Sequence, residues 1–343
     1  MATISADRTL AQIVKVIDIR PIVGADKVEL ATVLGWDVVV EKGSFHVGDL
    51  AIYFSIGGIL DKDNPNTAFL QGQVLKTKTI RGVVSQGLLG KLDWLEYYGI
   101  DPSTMKEDDD VTDRMNVKKW ISSDEIEVYD NSDKSKSVFP PIIPKTDEPR
   151  VQNCYKKVLE LKDKNIIITQ KFDGTSTTYI HSDGVFMICN RNNRLNYSVS
   201  YTNHYFDIAN RYDLEKKMIS LGKNIAIQGE IIGPKINGNH HKVNDIEFYV
   251  FNIFDIDLHS YMSYDEILKI TGELGLKTIK VVYTGPMKDE WLSSKALLTL
   301  ANEQLYETGT ICEGIVIKSD MGFGYNRISF KAISNKYLLK HKL

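Results

Sequence analysis

The chain has 343 residues, of which 43% are hydrophobic and 25% charged, and its formal net charge is -3. This composition is that of an ordinary globular protein, and the length suggests about two domains of roughly 100 to 200 residues. No apolar run approaches the ~18 residues of a membrane-spanning helix, which excludes an integral helical membrane protein. The near-neutral total neither supports nor excludes nucleic-acid binding, because it can hide a basic cleft.

Cysteine usage and the N-terminal residues indicate where the protein resides. Cys154, Cys189 and Cys312 are far apart and lack the spacing of a metal site, which favours a reducing compartment and no zinc. The first residues lack the apolar segment of a signal peptide. We therefore expect an intracellular protein, cytoplasmic or nuclear, without a targeting signal or membrane association, and a monomer.

Short strands broken by glycine and proline dominate the chain from Leu10 to about Leu92. Arg81-Gly82 is expected to join two of these strands as a hairpin. Five or six strands at this spacing suggest a small closed or partly closed barrel of the OB type, here placed in residues 1–125. The predicted strands are 13–20, 28–33, 37–41, 50–54, 74–80 and 83–89.

OB-type barrels often bind single strands of nucleic acid through a basic, aromatic-dotted face. Lys76, Lys78 and Arg81 lie in one predicted hairpin and are candidates for phosphate contacts, although a solvated strand face explains each of them as well. The segment 24–29 (Gly-Ala-Asp-Lys-Val-Glu), together with Gly-Trp at 35–36 and Gly-Asp-Leu at 48–50, resembles OB-like modules found beside RNA-handling enzymes.

Residues 101–148 have the composition of a connector. They contain an acidic run at 107–110, a polar run at 131–137, and then Pro140, Pro141 and Pro144. Proline disfavours helices and central strands, so we place a linker at 126–148 and a second domain at 149–343.

The second domain is predicted to be α+β, because its strands come in runs rather than in strict alternation with helices. Ser263 and Glu266 have the spacing of a capping box, which predicts a helix from there to Leu274. The predicted strands are 166–171, 175–180, 185–189, 225–231, 248–256, 314–318 and 327–333, and the other predicted helices are 155–161, 204–221 and 289–304.

Lys171 ends an apolar strand, and Asp173 and Gly174 follow it. Side chains alternate along a strand, so the amine and the carboxylate share one face. Gly174 permits a turn or the close approach of a ligand. Taken alone, this pattern fits an ordinary salt bridge as well as a functional site.

Other strand positions carry side chains that a core does not require. Glu230 and Glu313 each adjoin a glycine at the edge of a buried-looking strand, where an unpaired charge is costly. Lys331 lies within an apolar strand, which favours a functional role. Phe251, by contrast, is most simply a core residue when taken alone.

In chain order, these residues resemble the nucleotidyltransferase motifs of the covalent ligase and mRNA-capping superfamily. Arg150-Val-Gln-Asn and the tail from Ser329 to Leu338 resemble ATP-dependent RNA ligases, and an OB-like module ahead of the transferase resembles the subfamily with an N-terminal OB domain. The resemblance implies a transferase domain, ATP-grasp-like, of antiparallel sheets with flanking helices. The matching positions are Lys171-x-Asp173-Gly174, Arg191, Gly229-Glu230, Phe251, Glu313-Gly314 and Lys331.

The resemblance implies three chemical steps. Lys171 attacks the ATP α-phosphate to form lysyl-AMP, AMP passes to an RNA 5′-phosphate, and a 3′-hydroxyl displaces AMP to seal the strand. A free lysine has a pKa of about 10.4 and is a poor nucleophile at neutral pH. Neighbouring positive charge lowers that pKa, and Lys331 and a divalent cation are its expected sources.

Roles for the remaining residues follow from the resemblance. Magnesium or manganese would be held by Asp173 and Glu313, directly or through water. Glu230 would bind the ribose hydroxyls, and Phe251 would stack on adenine. The other expected nucleotide contacts are Arg150, Thr169, Gln170, Gly174, Arg191, Lys318 and Lys331.

Three points depart from the family pattern or stay open. Ser329 stands where many relatives carry a lysine, and Arg327 or Lys318 could supply that charge. Arg191 fits the spacing of the upstream arginine best, with Arg194 as the alternative. The pair at 240–241 (His-His) lacks further ligands and is interpreted as a polar loop rather than a metal site.

The leading hypothesis is an RNA ligase, with RNA as partner, as a nicked duplex or as RNA ends. The alternatives are a DNA ligase or capping-type guanylyltransferase of the same superfamily, or a catalytically silent RNA-binding protein.

Overall fold

The computed structural model describes residues 9–120, 136–196, 203–319 and 327–343. The chain forms two compact units, with residues 1–129, 152–155 and 335–343 in one and residues 130–151 and 156–334 in the other. Most of the polar run at 131–137 lies outside the described residues. The domain limits of 125 and 148 expected from the sequence stay a prediction.

The first unit is built on a five-stranded antiparallel sheet in the order β3-β2-β1-β4-β8. A bulge at Ile17 divides the first strand, so its first half pairs with β4 and its second half with β2. The sheet therefore bends around one core, and the predicted OB-like barrel is confirmed. The strands are β1 (Ala11–Pro21), β2 (Val28–Val33), β3 (Trp36–Glu41), β4 (Leu50–Phe54), β5 (Gly58–Ile59), β6 (Lys78–Ile80), β7 (Val83–Ser85), β8 (Leu88–Gly90) and β9 (Lys118–Lys119).

The hairpin predicted at Arg81-Gly82 is confirmed between β6 and β7. Both turn residues are left-handed, with φ of 50° and 80°. Two positive φ angles at the centre of a two-residue loop match the right-handed twist of the flanking strands.

The interpretation of residues 101–120 as connector is wrong. The amide of Asp108 donates to the Ile13 carbonyl at 2.8 Å, and the Ile13 amide donates to the Asp109 carbonyl at 2.9 Å, so the acidic run pairs with β1. Val111 and Met115 are buried in the barrel core. Acidic side chains can face solvent while their backbone completes a sheet, and composition alone does not distinguish that case from a linker.

The second unit contains two large antiparallel sheets, as predicted. The larger has the order β10-β14-β13-β12-β15-β16-β17, with β18 parallel to β16, and the smaller has the order β19-β11-β20-β21. The strands are β10 (Lys136–Val138), β11 (Asn165–Lys171), β12 (Thr175–Ser182), β13 (Val185–Asn190), β14 (Asn193–Leu195), β15 (Ile225–Ile232), β16 (Glu247–Asp255), β17 (Ser260–Tyr261), β18 (Lys277–Thr278), β19 (Val281–Pro286), β20 (Gly314–Ser319) and β21 (Ser329–Ile333).

Short helices flank these sheets. The capping box predicted at Ser263 and Glu266 is present and opens the helix Tyr264–Leu274. No helix within the described ranges is long and apolar enough to cross a membrane. The other α-helices of the described ranges are Tyr155–Val158, His204–Arg211, Leu214–Leu221, Ser294–Asn302 and Asn335–His341, of which the last belongs to the first unit.

Two strand registers bring distant polar residues to one place. In the smaller sheet, Lys171 at the end of β11 lies opposite Gly314 at the start of β20. In the larger sheet, Ser176 on β12 lies opposite Glu230 on β15. Because the chain passes from β11 directly into β12, the ends of both sheets meet at residues 171–176.

Candidate active site

Lys171 and Glu313 form the centre of the site. The lysine Nζ lies 2.7 Å from Glu313 Oε2, and the two side chains are 25% and 17% exposed. The strand register explains the contact, since Glu313 directly precedes the residue opposite Lys171. The amine predicted from the sequence therefore faces a carboxylate 142 residues away.

Three carboxylates determine the charge state of this lysine. Burial would lower the Lys171 pKa, but Glu313, Glu230 and Asp173 together outweigh it and raise the pKa. Burial raises the pKa of Glu230 to about 8, and burial likewise raises that of Glu313. Lys171 is therefore an ammonium in this structure, beside three acidic side chains whose charged forms a bound cation would favour.

Asp173 is held in place by the polar loop that contains the His240-His241 pair, a contact that no pattern in the sequence indicated. Asn237 Nδ2 donates to Asp173 Oδ1 at 3.1 Å and to the Gly174 carbonyl at 2.6 Å. His240 Nε2 lies 3.4 Å from Asp173 Oδ2. The loop thus fixes the carboxylate two residues beyond the lysine.

The close approach of β15 requires a glycine at position 174. A Cβ at this position would lie 2.3 Å from the Ile231 carbonyl oxygen and 2.9 Å from Glu230 Cγ. A side chain would therefore push β15 away and displace Glu230. Its predicted contact with the nucleotide stays a prediction.

A group of cations lies beside the carboxylates. Asp147 Oδ1 accepts from Lys331 Nζ at 2.9 Å and lies 2.7 Å from Arg191 Nη2. Burial lowers the Lys331 pKa to about 8, against the opposing effect of Asp147. The backbone of Arg150 pairs with that of Lys331 in an isolated parallel β-bridge on the edge of β21. These are the groups to which an anion such as a phosphate would be attracted.

Lys318 and Phe251 form a second cluster. Lys318 Nζ donates to the Phe251 carbonyl and to Asn252 Oδ1, both at 2.8 Å, and lies 5.6 Å from the Phe251 ring centroid. Burial and the charge of Arg327 lower the Lys318 pKa to about 7. A cavity adjoins this cluster and is lined in part by Ile167, Thr169, Phe251, Tyr261, Ile279 and Lys318.

Two side chains could supply the positive charge that many relatives have at the position of Ser329. Both of them, Arg327 and Lys318, donate to the side chain of Asn252. Arg327 Nη1 donates to the Asn252 oxygen at 3.1 Å, the same atom that Lys318 contacts. The Arg327 guanidinium carbon also lies 3.8 Å from the Tyr261 ring centroid. Which of the two replaces the lysine that Ser329 lacks stays a prediction.

Several predicted residues have other surroundings. Gln170 donates its amide to the Leu305 carbonyl at 2.9 Å. Of the two candidate arginines, Arg191 is close enough for its charge to lower the pKa of Glu230, whereas the charge of Arg194 lowers the pKa of Cys189. Arg191 is therefore the one that the fold brings to the carboxylates.

The three basic candidates lie in the first unit, Lys78 and Arg81 in the hairpin and Lys76 just before it, because β6 begins at Lys78 rather than at the predicted residue 74. Lys76, Lys78 and Arg81 are exposed. The Lys76 ammonium lies 5.9 Å from the ring centroid of Trp120, an aromatic residue that is 40% exposed. A cation beside an exposed aromatic ring is compatible with nucleic-acid binding.

The two consecutive histidines have different surroundings. His241 packs against Phe172 and Tyr306, with ring centroids 4.2 and 3.9 Å apart, and burial lowers its pKa to about 4. His240 lies beside Asp173 instead. Within the described ranges, no group of three or more His, Cys, Asp and Glu side chains could hold a metal ion by itself.

Sequence reasoning missed Asp147, Asn237 and Tyr306. Tyr306 donates its hydroxyl to the Lys171 carbonyl at 2.9 Å. All three are in loops, where no strand or helix periodicity indicates the direction of a side chain. For Asp147, the one indication in the sequence was its position three residues before Arg150.

Comparisons with known proteins identify the family to which the chain is similar. The profile of the RNA ligase family matches residues 164–333, and that of an OB-fold domain matches residues 10–92. No curated protein matches the chain.

Among solved structures, variants of Naegleria gruberi RNA ligase are similar over almost the whole chain. An apo form has 31% identity, covers 98% of each chain and gives a TM-score of 0.85. A form with ATP and Mn has 32% identity, covers 97% of this chain and 99% of that chain, and gives 0.85. A form with AMP and Mn has 32% identity, covers 98% and 99%, and also gives 0.85.

Proposed function

The chain belongs to the RNA ligase family, and we propose that it seals RNA 5′-phosphate and 3′-hydroxyl ends with ATP, carrying AMP on Lys171. One observation carries the proposal: a partly buried lysine lies 2.7 Å from a carboxylate and has cationic side chains beside it. Solved forms of the similar Naegleria gruberi ligase contain ATP or AMP together with Mn. A nucleotide phosphate matches the cationic side chains of the site, and a divalent cation matches its acidic side chains.

In the first step, the Lys171 ammonium has to lose its proton. Glu313 is placed to accept it, because its oxygen is 2.7 Å from Nζ and its pKa is raised. The neutral amine then attacks the α-phosphorus of ATP, the N–P bond forms, and the bond to pyrophosphate breaks. Lys331 and Arg191 supply positive charge for the phosphates once Asp147 releases them.

Glu230 and Phe251 would hold the rest of the nucleotide. Glu230 accepts from the ribose hydroxyls, and the Phe251 ring stacks on adenine at the cavity beside Thr169. Lys318 donates a hydrogen bond to the Phe251 carbonyl and so helps to position Phe251. Arg150, Gln170 and Gly174 complete the proposed nucleotide contacts.

The residues present fit a divalent cation. Burial raises the pKa values of Glu230 and Glu313, and the neighbouring acidic side chains raise them further, so a bound cation would favour their charged forms. Asp173 and Glu313 would hold Mg²⁺ or Mn²⁺ together with waters and phosphate oxygens, which suits a cation that keeps several waters. When bound, the cation neutralises charge on the α-phosphate.

The later steps use RNA. An oxygen of the RNA 5′-phosphate attacks the lysyl-AMP phosphorus, the N–P bond breaks, and Lys171 regains its amine. The RNA 3′-hydroxyl then attacks the 5′-phosphate and AMP leaves. Lys76, Lys78 and Arg81 would contact RNA phosphates, and we expect one chain to suffice for all three steps.

A sealing assay tests this function and separates the alternatives. Nicked duplexes are prepared with each strand varied between RNA and DNA, and the protein is incubated with labelled ATP or labelled GTP. We expect an ATP-derived adduct and sealing only where RNA borders the nick. A GTP-specific adduct would indicate a capping-type enzyme, sealing of all-DNA nicks a DNA ligase, and RNA binding without any adduct a silent protein.

A further inference from the structure

One hydroxyl group joins the backbones of the two central residues of the site. Tyr306 donates to the Lys171 carbonyl at 2.9 Å and accepts from the Glu313 amide at 3.1 Å. It lies where β11 ends and β20 begins, so it spans the last gap between these strands. The same two residues form the ion pair through their side chains.

The position of this hydroxyl is closely defined. Tyr306 is 3% exposed, and its amide donates to the Thr310 carbonyl at 2.9 Å in a tight turn. Its ring packs against His241 and Phe172, with centroids 3.9 and 5.7 Å away. Burial raises the pKa of the hydroxyl, so it remains a donor throughout the physiological range.

A purely structural function would be to satisfy the two backbone groups, since buried polar groups need partners. The geometry goes further than that. Both groups belong to the residues whose side chains must exchange a proton before attack on ATP, and small displacements of reacting groups reduce rates strongly.

We propose that Tyr306 is a positioning residue for lysine adenylylation, which holds the Lys171 and Glu313 backbones at the spacing that aligns their side chains. The inference rests on the proposed function, because it concerns the rate of the first step. Tyr306 itself does not touch the nucleotide in this account.

Tyr306→Phe tests the proposal, because it keeps the ring and removes only the hydroxyl. Tyr249→Phe is the matched control: its ring also packs against Phe172, at 5.0 Å, but its hydroxyl donates to Glu247. Single-turnover adenylylation is measured over a range of ATP concentrations. We expect Tyr306→Phe to lower the maximal rate about 10- to 100-fold and to keep the half-saturating ATP concentration within about twofold of wild type. Tyr249→Phe should leave both quantities near their wild-type values.

A second measurement separates positioning from folding. Sealing of pre-adenylylated RNA bypasses the lysine step, so Tyr306→Phe should retain most of that activity. Loss of both activities with a lowered Tm would show a structural role and overturn the proposal, as would a maximal rate equal to that of wild type. A wild-type protein that forms no adduct would instead overturn the proposed function and, with it, this inference.

Discussion

Lys171 and Glu313 form a 2.7 Å ion pair because β11 and β20 are antiparallel and in a register that places Lys171 opposite Gly314. The pair holds the lysine in its charged form, which cannot attack a phosphate. The carboxylate that stabilises the ammonium is also the nearest group that can accept its proton.

Replacing Glu313 by glutamine should slow lysine adenylylation at least about 100-fold, because the variant lacks the proton acceptor and a cation ligand. The residual rate should reach half its maximum at a lower pH than in wild type, since the nearest charge that raises the Lys171 pKa is gone. Rates are measured by adduct formation with labelled ATP across pH. Glu273→Gln, at an exposed position, is the control, and an E313Q rate close to wild type would be incompatible with this role.

Replacing Asn237 by alanine should lower the adenylylation rate about 10-fold, because the donor to Asp173 and Gly174 is lost. Asn239→Ala controls for backbone strain, since both asparagines are left-handed, with φ of 40° and 48°. The Asn239 side chain bonds the backbone of Val243 rather than Asp173. Equal rates for the two variants would mean that the contact to Asp173 does not matter.

The strongly buried Lys318 should make stability depend on pH. Its folded-state pKa of about 7 lies below the unfolded value of about 10.4, so the unfolded chain binds more protons between these values. The wild-type free energy of unfolding should therefore rise with pH in this window. The free energy of unfolding of Lys318→Met should lack this contribution to the rise. The difference in Tm, wild type minus variant, should increase from about pH 6 to about pH 10.

A matched variant checks that this trend comes from burial. Lys295→Met removes an exposed lysine from the helix Ser294–Asn302. Its Tm difference from wild type should stay nearly constant over the same range. A constant difference for Lys318→Met as well would rule out a depressed pKa.

The basic hairpin should matter for RNA and not for ATP. Alanine at Lys76, Lys78 and Arg81 together should weaken RNA binding and make its salt dependence shallower, by about 0.7 in the log-log slope for each lost phosphate contact. Adenylylation without RNA should stay within about twofold of wild type. A triple variant at exposed lysines elsewhere in the first unit has the same charge change and serves as control: Lys27, Lys42 and Lys91. If both triple variants weakened RNA binding equally, the effect would come from net charge and not from contacts at these three positions.

The strand pattern made much of this fold predictable. Strands 28–33 and 50–54 coincide with β2 and β4, and continuous apolar runs located β11, β15 and β20 to within a few residues. Lys171 and Glu313 were each singled out because a charged side chain at a strand end is costly unless it is used, whereas their pairing follows from the register of β11 and β20. The OB-like barrel followed from the spacing of its turns.

The missed features have a common physical cause. Asn237 and Tyr306 act from loops, where contacts depend on tertiary structure and not on a repeating pattern. The predicted helix 289–304 is interrupted: a short turn at Asp289–Trp291 precedes the helix Ser294–Asn302, which Ser293 caps. The acidic run at 107–110 has the composition of a linker, and its backbone pairing with β1 leaves no pattern in the sequence.

Intact-mass measurement after incubation with ATP and Mg²⁺ tests the central claim most directly. The wild-type protein should gain one AMP, located by peptide mapping on Lys171, and Lys171→Ala should gain none while keeping the wild-type Tm. AMP attached to a different residue, or an adduct that persists in Lys171→Ala, would contradict the account.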